Sequence, residues 1–332
     1  MRGLSIWWFA FGYFACYAPY SALAKLLSKG QLDGMAAPLD GFVLLPSTVL
    51  ASVVGMFTFL TAMGWWRYAT HRQLGPLSVP SPTLRTLVSG TCTAAIVVTT
   101  TLAYTFEGIS IVFAMLLMRG GVLVIAPVVD ALARRRVQWT SWSALGLSLL
   151  ALVVVFAEKG GFTLSSSAAL DIGLYLSAYF VRLRIMSGSA KSEDPDANTR
   201  YFVEEQMVAT PLVVAVLSAW ALLGSSPVAA DLQRGFTDIW REPALGWVLA
   251  VGLLSQGTGI FGGLILLDKR ENTFCVPVNR ASSILAGLVA SFASTLIFGA
   301  SLPSTFELLG AALVVGAIVV LSVPSLLKRR RT

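Results

Sequence analysis

Between Ile109 and Leu132 the chain reads ISIVFAMLLMRGGVLVIAPVVDAL, an apolar run long enough to cross a bilayer with one arginine, Arg119, near its middle. A transmembrane helix needs about 20 mostly apolar residues, and an arginine near the bilayer centre costs about 2.5 to 3.5 kcal/mol on insertion scales. A charge held at that cost has a task. Gly120 and Gly121 follow it and Pro127 comes two turns later, which leaves room for close backbone approach and for a kink beside the charge. Two readings compete. Arg119 either bonds the carbonyls of a neighbouring helix and holds the bundle together, or it forms a site for an anionic solute.

The rest of the chain has the same character. Of its 332 residues 56% are hydrophobic and only 12% charged, with a mean hydropathy of +0.76, so it has too few charges to cover a soluble globule. The expected class is an integral membrane protein. Its net charge of +7 would point to a polyanion partner in a soluble protein, but the basic residues gather in short loops between apolar runs, where topology explains them and nucleic acid is not expected. Cys16, Cys92 and Cys275 all fall inside apolar runs and lack metal-ligand spacing, so buried thiols are expected and no disulfide framework. The single histidine, His71, has no partner carboxylate or cysteine nearby, and no glycine-rich phosphate loop with lysine occurs. A membrane hydrolase, a metal site and a bound cofactor are therefore not expected. Nor is a channel, since no filter motif is visible.

The predicted spans are 4–27, 41–66, 84–106, 109–133, 140–157, 168–186, 201–223, 244–267, 274–298 and 305–327, each near the length a bilayer requires. The first run is longer than the apolar core of a signal peptide and reaches no convincing small-residue cleavage site, so it is read as a span. Basic residues test the count, because a missed span would scramble their alternation in every later loop. With both termini cytoplasmic, 17 of the 24 lysines and arginines fall in cytoplasmic segments, Arg182 among them, and 5 fall outside. Only Arg119 and Arg280 are left inside the membrane. In the loop after the seventh span, Leu232, Phe236, Ile239 and Trp240 recur at helical spacing among charges, as in a short interfacial helix. The polar segment Ser187 to Thr199 reads as a flexible cytoplasmic connection. Trp65, Trp66, Trp139, Trp142 and Trp247 sit near span ends, where interfacial aromatics anchor helices.

Five spans per half is an odd number, so two related halves must insert in opposite orientation, about a pseudo-two-fold axis in the membrane plane. Met118-Arg119-Gly120-Gly121 opens a long apolar run in the fourth span and Asn279-Arg280-Ala281-Ser282 a similar one in the ninth; each is followed by a short connection and a glycine-bearing run. The predicted fold class is an all-α membrane protein of ten transmembrane helices as two inverted five-helix repeats, residues 1–160 and 161–332, forming one integral membrane domain.

These features resemble the drug/metabolite transporter superfamily, of the EamA-like type, over nearly the whole chain. Within it, Asn279-Arg280 opening the ninth span and Lys25 at the end of the first are similar to the triose-phosphate and nucleotide-sugar translocator branch, in which basic residues on matching helices hold phosphate groups. That branch usually has a lysine-arginine pair where this chain has Asn279-Arg280, and an asparagine-lysine pair where it has Ala24-Lys25, so its substrate does not carry over. The resemblance implies a secondary transporter.

Arg119 lies about 15 Å from the outer end of its helix and Arg280 about 9 Å from the inner end of its own, so both can face one central cavity. A guanidinium is a planar fork of donors suited to carboxylate or phosphate. The candidate substrate residues are Arg119, Arg280, Asn279 and Lys25, with Tyr20, Tyr104, Gln256 and Thr258 as weaker polar candidates. Gly257, Gly259 and Gly262 are read as interrupting the eighth helix beside them, and Thr99 to Thr101 as bonding mainly their own backbone. Asp171, Glu204 and Glu205 are able to carry a proton but are read as solvated helix ends. The expected function is movement of a small organic metabolite, an anion and phosphorylated in one version, by alternating access. Its alternatives are an exporter of neutral or cationic metabolites with structural arginines, and a non-transporting membrane subunit. The expected setting is a bacterial inner membrane, or an organelle membrane in a eukaryote.

Overall fold

The computed structural model describes residues 6–35, 37–105, 114, 116–132, 139–158, 165–189, 194, 196–268, 272–299 and 302–329. Eleven α-helices occur among them: α1 (Ile6–Lys29), α2 (Gly41–Ala62), α3 (Leu84–Thr105), α4 (Gly121–Leu132), α5 (Trp139–Glu158), α6 (Ser166–Ser189), α7 (Ala197–Leu223), α8 (Pro227–Phe236), α9 (Leu245–Leu266), α10 (Asn272–Phe298) and α11 (Thr305–Arg329). Five stretches are long and apolar enough to cross a membrane: Gly41–Ala62, Leu84–Ala103, Ala197–Leu223, Leu245–Leu266 and Val278–Ile297. This fits an all-α membrane protein. The basic cluster Arg134 to Arg136 and residues 190–193 and 195 lie outside the described residues; of the Ser187 to Thr199 connection, read as flexible, the two ends are helical and belong to α6 and α7.

The helices begin and pack for legible reasons. Asp40 caps α2 by accepting from the Phe42 N–H at 2.7 Å, and Ser226 caps α8 from Ala229 N at 3.2 Å with Pro227 in the first turn, each satisfying a donor the helix leaves open. Helix α1 lies against α9 and α10, while α6 lies against α3 and α4; α2 packs on α9, α3 on α7, and α5 on α11. Close approach relies on glycine. A Cβ at Gly252 of α9 would collide with the Thr48 carbonyl oxygen of α2, and one at Gly90 of α3 would come within 2.6 Å of Val208 Cβ on α7. Hydroxyls bridge the same interfaces, Ser52 Oγ donating to Gly252 O at 2.8 Å and Ser47 Oγ to Gly235 O at 2.7 Å. Small residues and interhelical hydrogen bonds of this kind hold helices together where lipid removes the hydrophobic drive.

Polarity is turned inside out relative to a soluble bundle. Leu170, Leu222, Leu223 and Leu296 stand exposed, while Arg119, Arg182, Glu205, Gln256, Asn279 and Arg280 are buried. Exposed leucines around buried charges suit a lipid surround.

Three sequence expectations need correcting, and one element was not expected. The loop after α2 contains a small antiparallel β-hairpin, β1 (His71–Leu74) with β2 (Leu77–Pro80), within the otherwise helical fold. Gly75 at φ 64° followed by Pro76 makes its two-residue turn, the glycine-first arrangement that matches strand twist. The three glycines do not break the eighth apolar run, because α9 continues through them to Leu266; Gly257 and Gly262 let Cys16 and Tyr13 of α1 pack against its backbone instead. Trp65 is no interfacial anchor. It is buried edge-on against Phe59 and Phe202, at centroid distances of 5.3 and 5.8 Å. Asp171, Glu204 and Glu205 are buried rather than solvated. Hydroxyls and, for Glu205, an arginine surround the two glutamates and make their burial tolerable. In the loop after the seventh apolar run a short helix, α8, is present and is followed by a 3-10 turn, Asp238–Arg241; together they bury Leu232 and Ile239 and leave Trp240 exposed.

Candidate functional site

Two pairs of tyrosines form the frame. Tyr13 and Tyr17 lie one turn apart on α1, with ring centroids 5.2 Å apart, and Tyr175 and Tyr179 repeat the spacing on α6 at 4.8 Å. All four are buried. Residues four apart share a helix face, so each helix turns a stack of two phenols toward the interior.

Arg119 enters this frame from a π-helical turn, Leu116–Gly120, at the start of α4. A π turn inserts an extra residue and redirects the side chains on it, a distortion that recurs at functional sites. The Arg119 guanidinium donates to Tyr17 Oη and Tyr175 Oη, one from each helix, and its Cζ lies 5.2 and 5.5 Å from the same two ring centroids. Its Nε has no hydrogen-bond partner among the described residues. Arg280, in α10, is wholly buried with its Cζ 4.7 Å from the Tyr179 centroid, and none of its three guanidinium nitrogens has a hydrogen-bond partner among the described residues. Cation–π contact offsets part of its desolvation, but five N–H donors remain to be satisfied.

The phenols open onto a cavity of about 80 Å³ lined by Tyr13, Tyr17, Tyr20, Arg119, Tyr179, Arg182, Gln256, Thr258 and Asn279, with Thr93, Thr100 and Ser255 among the remaining residues. This is room for several waters or a compact solute. A second, shallower and almost wholly apolar cleft lies between α2, α7 and α9, around Val54, Val214 and Leu253.

Of the candidates read from the sequence, Arg119, Asn279, Tyr20, Gln256 and Thr258 line the central cavity. Arg280 adjoins it behind Tyr179. Tyr20 shares a hydrogen bond with Thr101 Oγ1 at 3.1 Å, Thr258 donates to Ser255 O at 2.6 Å, and Asn279 Nδ2 approaches Gly262 O at 3.4 Å while its Oδ1 has no partner among the described residues. Lys25 is half-buried further along α1 and does not line the cavity. Tyr104 belongs to α3, but its side chain lies outside the described residues. Thr99, Thr100 and Thr101 do bond their own backbone, at 2.7, 2.6 and 3.1 Å.

A buried ion pair closes one side. Arg182, read from the sequence as a cytoplasmic loop charge, is buried on α6 and lines the cavity. It meets Glu205 of α7 in a two-pronged contact, Nε to Oε1 and Nη2 to Oε2, both at 2.8 Å. Glu205 also accepts from Ser89 at 2.5 Å and Thr93 at 3.1 Å on α3, and from Tyr201 at 3.4 Å. Its neighbour Glu204 points the other way and holds the base of the β-hairpin, accepting from Thr70 N and Oγ1, Thr83 N and Thr86 Oγ1 at 2.7 to 3.1 Å. Asp171 is buried near the start of α6, and its Oδ2 has no partner among the described residues.

The surroundings of the cavity recur along the chain at a fixed interval. Tyr13 and Tyr175, Tyr17 and Tyr179, Tyr20 and Arg182, Thr93 and Ser255, Ile96 and Thr258, and Thr100 and Gly262 are each 162 residues apart, as are Gly90 and Gly252; Arg119 and Arg280 are 161 apart. Sequence reasoning missed Tyr13, Tyr175, Tyr179 and Arg182, and set Glu205 aside as a solvated helix end. The matching Tyr-x-x-x-Tyr of the first and sixth apolar runs was the signal that pointed to the phenols.

No protein-family model matches the chain and no curated protein matches it. A solved structure described only as "Crystal structure of protein" is similar in fold, with a TM-score of 0.56 and 16% identity over 97% of each chain. That likeness concerns architecture alone.

Proposed function

We propose that the protein is a secondary transporter for a small organic anion, working by alternating access around the cavity between α1, α3, α6, α9 and α10. The observation that carries this reading is Arg280. A wholly buried guanidinium with no hydrogen-bond partner among the described residues, beside a polar cavity that a second arginine lines, is poised for an anion, which would satisfy its donors and offset its burial. The solute is a carboxylate or a phosphate ester.

The wider reading is a ten-span protein of two inverted five-helix repeats, of the drug/metabolite transporter type, with both termini cytoplasmic in a bacterial inner membrane. Two observations support the repeat. The 162-residue interval relates cavity residues of the two halves, and the helix pairings exchange under it: α1 on α9 and α10 answers α6 on α3 and α4, and α2 on α9 answers α7 on α3. Rocking of one half against the other would then expose the cavity to each side in turn. In this reading no side chain is catalytic and no cofactor is required.

A second reading is favoured by Arg119 itself. Two phenols already hold its Nη1 and Nη2, as they would hold a structural arginine in an exporter of neutral or cationic metabolites. A thermal-shift panel on purified protein separates the two. At 100 times its dissociation constant a ligand stabilises by about 2.7 kcal/mol. Stabilisation by phosphates or carboxylates supports the anion, and stabilisation by amines or neutral amino acids alone overturns it.

A further inference from the structure

We propose that the Arg182–Glu205 pair is a proton-binding site that couples anion entry to proton uptake; this rests on the reading of the protein as an anion transporter. Arg182 is the one member of the pair that lines the cavity, while Glu205 is fully buried behind it. A solute anion in that cavity and the Glu205 carboxylate therefore compete for the same guanidinium fork. When the solute takes it, Glu205 loses its only described counter-charge.

The groups around Glu205 decide its response. From α3 it meets Ser89 and Thr93, with the half-buried Cys92 thiol nearby; from α6, Arg182; from its own helix, Tyr201. Glu204 faces away to the hairpin, held by Thr70, Thr83 and Thr86. Tyr179 and Tyr201 are the remaining groups felt by Arg182. The hydroxyls of Ser89, Thr93 and Tyr201 supply hydrogen bonds but no positive charge. A buried carboxylate deprived of its counterion is far more costly than a neutral acid, which the same hydroxyls still hold by hydrogen bonds. Glu205 thus takes one proton from solvent as the anion binds and returns it as the anion leaves, when Arg182 swings back. A bound monoanion then carries no net charge across with it. Tyr20, 162 residues before Arg182, occupies the corresponding place on α1 with a phenol–threonine contact instead, so only one side of the cavity carries this proton-linked ion pair.

The test uses sulfate and acetate, anions that do not titrate near pH 7, added to detergent-solubilised full-length protein in unbuffered solution with a pH indicator, with binding followed in parallel by calorimetry. Wild type is expected to take up about one proton per anion bound. E205Q is expected to bind anion with no proton uptake; in case that single change unfolds the chain, R182Q/E205Q removes both buried charges together and is expected to lose proton uptake along with the part of the anion affinity that Arg182 supplies. Anion binding by wild type without proton uptake overturns the coupling and leaves the anion reading standing, and so does full uptake in either variant. Failure of wild type to bind any anion, across sulfate, acetate and a panel of phosphate esters, overturns both.

Discussion

Arg280 lies over the ring of Tyr179, its guanidinium carbon 4.7 Å from the centroid, and has no hydrogen-bond partner among the described residues; Arg119, 161 residues earlier, donates to Tyr17 and Tyr175. The two arginines therefore answer differently to the same substitution. R280Q removes a buried charge whose donors are unmet, so without ligand it should melt at or above the wild-type temperature. R119Q leaves two buried phenols short of a donor and should lose about 1 to 3 kcal/mol. Melting curves in detergent check this, and both variants should lose anion-induced stabilisation. A large fall in stability for R280Q would make it a structural arginine.

The ion pair gives a sharper stability contrast. E205A strands Arg182 in the interior and should cost about 3 to 5 kcal/mol, whereas R182M/E205M, which removes both charges, should recover most of the loss. Denaturant or thermal unfolding in detergent reads both. Equal losses in the two variants would mean that packing rather than charge is at issue.

Glycine substitutions test the helix pairings at matched places. G90A and G252A, 162 residues apart, each push a methyl into a neighbouring helix, against Val208 and against the Thr48 carbonyl, and each should cost about 1 to 3 kcal/mol. Among the described residues no outside atom lies within 4 Å of a Cβ added at Gly146, so G146A should be neutral or slightly stabilising. Melting temperatures of the three variants decide it.

Glu204 ties the β-hairpin to α7 through Thr70, Thr83 and Thr86. E204A should free the hairpin base without touching the cavity, so trypsin should cut at Arg72 several-fold faster while anion binding is kept. Unchanged cleavage would mean that the hairpin is held by other contacts.

The order of apolar runs was legible in the sequence because it comes from one constraint: backbone polar groups in lipid must be satisfied within the segment, so a long apolar run becomes a helix. The short helical segment before α9 was legible because the spacing of Leu232, Phe236, Ile239 and Trp240 is local. Arg119 and Arg280 stood out because a charge inside an apolar run breaks the pattern. The hairpin was hidden, since β1 and β2 are four residues each, too short to show a period.

Tertiary structure alone decided which polar groups meet. Arg182 and Glu205 are separated in the sequence by a polar connection and looked like solvated ends, yet α6 and α7 both lie against α3 and bring them together with Ser89 and Thr93. Likewise Tyr17 and Tyr175 share one guanidinium across half the chain. A single sequence records where a charge is; whether it is desolvated, and against what, depends on the helices folded around it. A buried charge is tolerated only where those helices supply its partners.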